Sequence, residues 1–470
     1  NHALQGHPEA PRLWEKHIVK ILDELGFKST TYKKCIYQNT IDGKKVLFLR
    51  QVDDFAVACR RPAIALDIIQ KIGAKLTVPL HDLGTLKKFN GVDILQTRDY
   101  IKISCESFLD KVITQHGWDE TIKQHNPIPM RNDTAYQAQL KTAELPTTAT
   151  EIKQLHNEFF NYRQAIGEAI YAMTVARTDI AYAVIKLSQY VANPAKLHYQ
   201  AVQHLFKYLA LTKDRGVYYW RKHPIPELPV IPAEPCVSHS EILNTIPKTK
   251  QPQRMHAYVD SDWGSDRTHR RSVTGLVIML AGGVIAYKSK YQPTIALSST
   301  EAEFTAASEA GKTTLYLRSI LHELGFSQYL PTLLYEDNTG ALHMVNAQQP
   351  TRRTRHMDTK YFALQDWVEH DQIDVTQIGT ANNISDAFTK ALGRIKFYEQ
   401  TDVLMGRRIP PYVPNWVKSD HPQPTKTLES SLQISSPSKP RLTSALESIH
   451  ALLPTSLFWR ISSTVGSMGG

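Results

Sequence analysis

At 470 residues the chain exceeds what one hydrophobic core usually organises, so two or three domains are expected. Hydrophobic residues at 42% and charged residues at 21% lie near an ordinary globular balance, which excludes a disordered, collagen-like or heptad-built chain. Lys and Arg outnumber Asp and Glu by 55 to 45 and the pI is about 9.2, a balance that favours polyanionic partners such as nucleic acid but also serves plain solubility.

The first residue is Asn1 and the text begins inside a motif, so a truncated N-terminus is expected. Trp14, His17, Ile18, Ile21, Leu22 and Leu25 recur at helical spacing, and Gly26 stops that helix. Cys35-Ile36-Tyr37 and Val46-Leu47-Phe48-Leu49, parted by Asp42-Gly43, predict a hairpin. A second strand pair flanks Gln51-Val52-Asp53-Asp54, which sets two carboxylates at a tight turn. Residues 107–222 are mostly helical by pattern, with helices over 162–177 and over 180–208, the latter interrupted at Asn193-Pro194.

Residues 223–255 hold seven prolines among small and polar residues, which predicts an inter-domain linker. From 256 to 393 the order is strand, hairpin, helix, strand, helix, strand, helix, an α/β layer pattern expected to form a separate domain. Within it, Gly282-Gly283 reads as the hairpin turn. Residues 394–470 are expected to be a mostly disordered tail, rich in Pro, Ser and Thr after Ile409. The longest apolar stretch, 275–287, falls short of the roughly 20 residues of a membrane helix, so neither a membrane span nor a signal peptide is expected. Cys35, Cys59, Cys105 and Cys236 are scattered without CxxC spacing, which argues against a zinc site and for a reducing compartment.

Four acids stand at element ends in the α/β segment. Asp260 ends the alternating run His256-Ala257-Tyr258-Val259, and Glu303 sits in the first turn of a helix opening at Ser298, where Ser298 and Glu301 have capping-box spacing. Asp337 follows the strand Leu333-Leu334-Tyr335-Glu336, and Asp386 begins the last helix. Hydrolysing a phosphodiester needs an activated water and compensation for charge on the leaving oxygen, and two Mg²⁺ about 4 Å apart supply both. Four carboxylates converging at one sheet edge would hold such a pair; taken singly, Asp386 and Glu303 are better explained as complements to a helix dipole. Asp260 to Asp266 also imitates the start of an EF-hand, but Ser265 and Arg271 fall where that loop needs Gly and Glu.

The context of these acids resembles the RNase H domain of copia-type retrotransposons. The likeness rests on Tyr258-Val259-Asp260-Ser261-Asp262-Trp263, Arg271-Ser272-Val273-Thr274-Gly275, the run from Ala296 through Glu303-Phe304, Glu336-Asp337-Asn338, Arg355-His356-Met357-Asp358, and the run from Asn383 through Asp386 to Lys390. It implies that Asp260, Glu303, Asp337 and Asp386 are metal ligands for Mg²⁺, with Mn²⁺ as an alternative, in a ribonuclease acting on the RNA strand of RNA–DNA hybrids. Residues 1–222 resemble the same family's reverse transcriptase, as an incomplete palm over 1–106 and a helical thumb or connection over 107–222.

Gln51-Val52-Asp53-Asp54 stands where the family reads Tyr-Val-Asp-Asp, which implies Asp53 and Asp54 as polymerase metal ligands. Polymerisation needs a third Asp from an earlier strand, and only Asp23 and Asp42 precede Asp53, one on a helix and one in a turn. The chain is therefore expected not to polymerise by itself. Arg352, Arg353, Arg355, His356 and Lys360 form a basic cluster that either contacts the phosphates of a hybrid or is a solvated loop. The loop 377–383 lacks the His that many RNase H domains carry before the last Asp, and His356 is the nearest candidate. Expected partners are hybrid nucleic acid and the remainder of a Pol polyprotein. The rival reading is a degenerate retroelement fragment that at most binds nucleic acid.

Overall fold

The computed structural model describes residues 7–76, 80–97, 99–118, 128–221, 254–264, 270–347 and 362–408, with the backbone of 457–463. The linker 223–255 lies outside them except at Arg254 and Met255, as does most of the expected tail.

The N-terminal sheet grows from the hairpins read in the sequence. Helix α1 (Ala10–Glu24) is followed by β1 (Lys28–Ser29), β2 (Ile36–Ile41), β3 (Lys44–Gln51) and β4 (Asp54–Cys59). The β2–β3 turn is Asp42-Gly43, both at positive φ, a conformation Asp and Gly tolerate. Helix α2 (Pro62–Gly73) and α1 lay Ile18, Ile21, Leu22, Ile64, Ile68 and Ile72 over Phe48, Phe55 and Val57 to make one core. After β5 (Leu80–Thr85), a second sheet is built from β6 (Lys88–Phe89), β7 (Val92–Gln96), β8 (Tyr100–Ser104) and β9 (Gly216–Trp220).

Between β8 and β9 run the helices α3 (Glu106–His116), α4 (Thr134–Thr142), α5 (Ala149–Glu158), α6 (Tyr162–Val175), α7 (Ala181–Ser188) and α8 (Lys196–Leu211). The run from 180 to 208 is interrupted around Asn193-Pro194, but α7 already ends at Ser188 and α8 resumes at Lys196. Because β8 pairs with β9, the boundary expected near residue 106 is bridged by backbone hydrogen bonds.

The C-terminal sheet has the order β12-β11-β10-β13-β14. Its strands are β10 (His256–Asp262), β11 (Val273–Leu280), β12 (Gly283–Tyr291), β13 (Thr332–Glu336) and β14 (Ile373–Gln377). β12, β11 and β10 are antiparallel, and β10, β13 and β14 are parallel. The hairpin turn is Ala281-Gly282, one residue before the expected Gly282-Gly283, with both residues at positive φ as a two-residue turn demands.

Helices α9 (Ser299–Glu323), α10 (Thr339–Asn346) and α11 (Ala363–Glu369) cover one face of this sheet, burying Val259, Leu276 and Leu334 against Phe304, Ala307 and Leu364. The other face, with Tyr258, Val277 and Tyr335, joins the core formed by α3 to α8. The Pro-rich segment therefore separates stretches of chain without separating their cores.

Order also extends into the stretch expected to be a mostly disordered tail. After the short α12 (Asp386–Thr389), helix α13 (Arg394–Leu404) buries Phe397, Val403 and Leu404. Backbone 457–463 forms β15 (Leu457–Ser463), paired between β4 and β5 in the N-terminal sheet. The run Leu457-Phe458-Trp459-Arg460-Ile461 has the aromatic and branched residues that favour a strand. No helix among the described residues is long and apolar enough to cross a membrane.

Candidate metal centre

Asp260 lies on β10 at the point where pairing with β13 has ended at Tyr258↔Tyr335, and it faces Gly275 of β11. Asp337 follows β13 directly, so the ends of two adjacent parallel strands present both carboxylates at one edge. Ser298 caps α9 by accepting from the Glu301 N–H, and the Glu301 carboxylate accepts from the Leu297 N–H at 2.8 Å. Glu301 is thus engaged in the cap, and Glu303, two residues on, turns inward and is buried.

The structure brings Asp260, Glu303 and Asp337 together: each offers an oxygen, and these oxygens lie within 4.8 Å of one another. Glu303 Oε2 is buried without a hydrogen-bond partner among the described residues. A buried carboxylate oxygen lacking a donor costs free energy unless a proton or a cation meets it. Burial, then the charges of Glu336, Asp260 and Asp337, push the Glu303 carboxyl up to about 11. Burial likewise raises Asp260 to about 6, against the pull of Lys390. Burial together with neighbouring acids disfavours the charged form of Glu303 and Asp260, a cost that a hard cation with oxygen ligands would relieve, so the donor set fits Mg²⁺ or a similar ion.

Asp386 is buried beside this group but committed elsewhere. Its Oδ1 meets the Lys390 ammonium at 2.6 Å and its Oδ2 the Lys396 ammonium at 2.5 Å. Burial pushes its pKa up, but the two lysines overcome this and hold it below the ordinary carboxylate range. Lys390 also lies 3.4 Å from Asp260 Oδ2, which accepts a hydrogen bond from the Thr389 hydroxyl. Asn383 donates to the Val259 carbonyl at 2.7 Å and anchors the loop before Asp386 to β10.

Sequence reasoning missed Glu336, which is fully buried with Oε1 accepting from the Asn338 N–H at 3.0 Å. It also gave no role to Lys390 and Lys396. The four-residue spacing of Asp386 and Lys390 on a helical turn was the available signal.

Asp53 is exposed and Asp54 half-buried at the β3–β4 turn, where the Trp14 indole donates to the Val52 carbonyl at 2.8 Å. No third carboxylate joins them within metal-sharing distance among the described residues. Asp42 pairs with Arg61 at 2.7 Å, and Asp23 is exposed on α1. Arg352, Arg353, Arg355, His356 and Lys360 lie outside the described residues.

The sequence model of a family described as reverse transcriptase (RNA-dependent DNA polymerase) matches residues 1–130. The retrovirus-related Pol polyprotein from transposon TNT 1-94 of Nicotiana tabacum is 28% identical over 402 residues, 84% of this chain and 27% of the relative. That of transposon RE1 of Arabidopsis thaliana is 24% identical over 409 residues, 87% of this chain and 25% of its own length. A secreted RxLR effector protein of Plasmopara viticola is 33% identical over 156 residues, 33% of this chain and 90% of its own length. The chain spans about a quarter of the length of the two transposon polyproteins.

Proposed function

Because the chain belongs to the retrotransposon Pol polyproteins of copia type, we propose that residues 256–393 act as an RNase H, cutting the RNA strand of RNA–DNA hybrids beside a reverse-transcriptase segment. The observation that carries this reading is the convergence of Asp260, Glu303 and Asp337, whose oxygens lie within 4.8 Å of one another, with Glu303 Oε2 buried and without a partner among the described residues. The sheet order β12-β11-β10-β13-β14, antiparallel then parallel, supports an RNase H-like fold for this unit.

A divalent ion pair supplies, when bound, an activated water and a counter-charge for the leaving oxygen. Asp260, Glu303 and Asp337 would hold it, with Mg²⁺ favoured by an all-oxygen donor set and Mn²⁺ as the alternative. The chain's own residues do the rest. Lys390 and Lys396 fix the Asp386 carboxylate, and Thr389 fixes one oxygen of Asp260. Asp260 and Asp386 are buried, which limits the screening of their carboxylates by bulk water. An A-like hybrid would be recognised by backbone shape and 2′-hydroxyls, so sequence preference should be weak. The rest of the polyprotein is the proposed partner in replication.

Polymerase activity is not proposed for this chain, because no third acid joins Asp53 and Asp54 among the described residues. Primer extension with template and nucleotides is expected to be undetectable, and measurable extension would overturn that reading. The nuclease is tested by cleavage of an end-labelled hybrid with Mg²⁺ and with EDTA. Hybrid that is bound yet uncut under both conditions would favour the degenerate fragment instead.

A further inference from the structure

A pocket of about 320 Å³ opens between α13 and the turn that follows it. Arg394, Ile395, Tyr398 and Glu399 of the helix line it, together with Arg407 and Arg408 of the turn. The turn is held in place by its own hydrogen bonds. The Trp220 indole donates to the Gly406 carbonyl at 2.6 Å, and the Arg407 and Arg408 N–H groups donate to the Asp402 carbonyl at 2.7 and 3.1 Å. Gly406 takes a positive φ, and a Cβ there would lie 2.3 Å from the Tyr218 carbonyl, so the turn is seated directly on β9.

Asp402 also lines the pocket, but its charge is already met. It lies 3.0 Å from the buried Arg215 and 3.8 Å from Arg407, while Asp179, 3.6 Å from Arg215, is gripped by Arg177. Arg177, Asp179, Arg215 and Asp402 therefore sum to zero. Arg394, Arg408 and Glu399 make no ion pair among the described residues, so two guanidinium groups without a carboxylate partner face the pocket beside Arg407 and one acid. A guanidinium meets phosphate with two parallel N–H donors and also lies flat against a base. Tyr398 is half-buried and Ile395 is 78% exposed, which sets an apolar wall next to these charges.

Cations beside an aromatic and apolar wall are the combination that holds an unpaired nucleotide, and the volume suits one nucleotide while excluding a duplex. The same helix carries Lys396, whose ammonium meets Asp386 beside the acidic cluster, so pocket and cluster share α13. We propose that this pocket binds a nucleotide of a single-stranded stretch flanking the hybrid at the acidic site. The inference rests on the RNase H reading for its substrate and deepens it by giving α13 a share in holding the strand.

The test uses the full chain and fluorescently labelled RNA–DNA hybrids, either blunt or with a short single-stranded overhang, with Ca²⁺ replacing Mg²⁺ and anisotropy read at fixed salt. The overhang should tighten binding to the wild type about 3- to 10-fold. Arg394 and Arg408 are exposed, so replacing them spares the core. With Arg394→Gln and Arg408→Gln combined, that advantage should vanish. Lys153→Gln, a charge change on the exposed side of α5, should keep it.

A wild type that binds both hybrids equally, or a double variant that keeps the full advantage, would overturn the proposal; cleavage by the wild type with Mg²⁺ would leave the nuclease reading standing. If the advantage and its loss both appear while no protein cuts the hybrid, the nuclease reading falls and the pocket stands. AMP equimolar with the hybrid, at constant ionic strength, should leave the advantage intact. Its loss under AMP would make the pocket a site for free nucleotides and overturn the proposal.

Discussion

Glu303 carries a large electrostatic penalty, since burial and then its acidic neighbours raise its carboxyl to about 11 from an ordinary 4.5. Between those values the folded chain keeps a proton that the unfolded chain releases, so metal-free stability falls as pH rises through 4.5 and beyond. Glu303→Gln removes that penalty. With EDTA at pH 8 it should raise stability by on the order of 1–3 kcal/mol, read as a higher Tm, and the gain should shrink below pH 5. A Tm gain that persists unchanged at acid pH would refute this account. Asp337→Asn keeps the shape but loses a charge and should cut hybrid cleavage by about 100-fold or more in a gel assay, with hybrid affinity largely kept. Glu301→Gln should leave cleavage intact and cost about 1 kcal/mol in stability. The Glu301 cap was legible from Ser298, because a cap fixes which residue of the first turn looks back at the backbone, whereas Glu303 was picked out by resemblance to the family alone. Glu336 was not legible: a buried acid at a strand end looks like any strand-terminal charge until the strand on each side is known.

At the scale of elements, Gly275 decides how closely α12 sits on β11. A Cβ at Gly275 would lie 2.6 Å from the Thr389 methyl and 2.9 Å from the Ser385 carbonyl. Backbone on one side and a buried helix on the other leave little room to yield. Gly275→Ala should therefore displace the turn that carries Asp386 and Thr389, with a loss of roughly 1–3 kcal/mol in stability and a marked drop in cleavage. Gly379→Ala meets nothing within 4 Å and should do neither, so equal thermal melts for the two variants would sink the argument. The strands around Asp53 and Asp260 were legible because alternation and turn residues agree there. Helix α13 was not, because its buried face includes polar Gln400 and Thr401. Their side-chain hydrogen bonds reach outside the helix: Gln400 donates to the Asn383 carbonyl at 2.9 Å, with its Oε1 buried and without a partner among the described residues, and Thr401 accepts from Arg215 at 3.2 Å.

Across the whole molecule, one buried ionic knot joins the helical segment to the strand and helix that flank the acidic unit. Arg177 grips Asp179 through two hydrogen bonds of 2.9 and 2.8 Å, and the Tyr208 hydroxyl donates to Asp179 at 2.6 Å. Arg215 lies 3.6 Å from Asp179 and 3.0 Å from Asp402, just before the end of α13. Linear sequence sets Asp179 beside Arg177 but does not show that Tyr208 of α8 and Arg215, just before β9, close on the same carboxylate. Burial pushes its carboxyl up, yet Arg177 and Arg215 hold it below its ordinary 3.8. A depressed folded pKa means the pair's stability is present above about 3.8 and is lost as pH falls through that value toward the folded pKa. Asp179→Asn leaves Arg177 buried without its counter-charge, which should cost about 3–5 kcal/mol. Because the C-terminal sheet shares its core with α3 to α8, the loss should appear as one cooperative shift of the melting of both segments. Tyr208→Phe should cost less, on the order of 1 kcal/mol, because it removes a single hydrogen bond to the knot. Denaturant unfolding followed by tryptophan emission and by hybrid cleavage in parallel would read both. If the nuclease retained its midpoint while the helical segment melted early, the two segments would be independent and the shared core would carry no coupling.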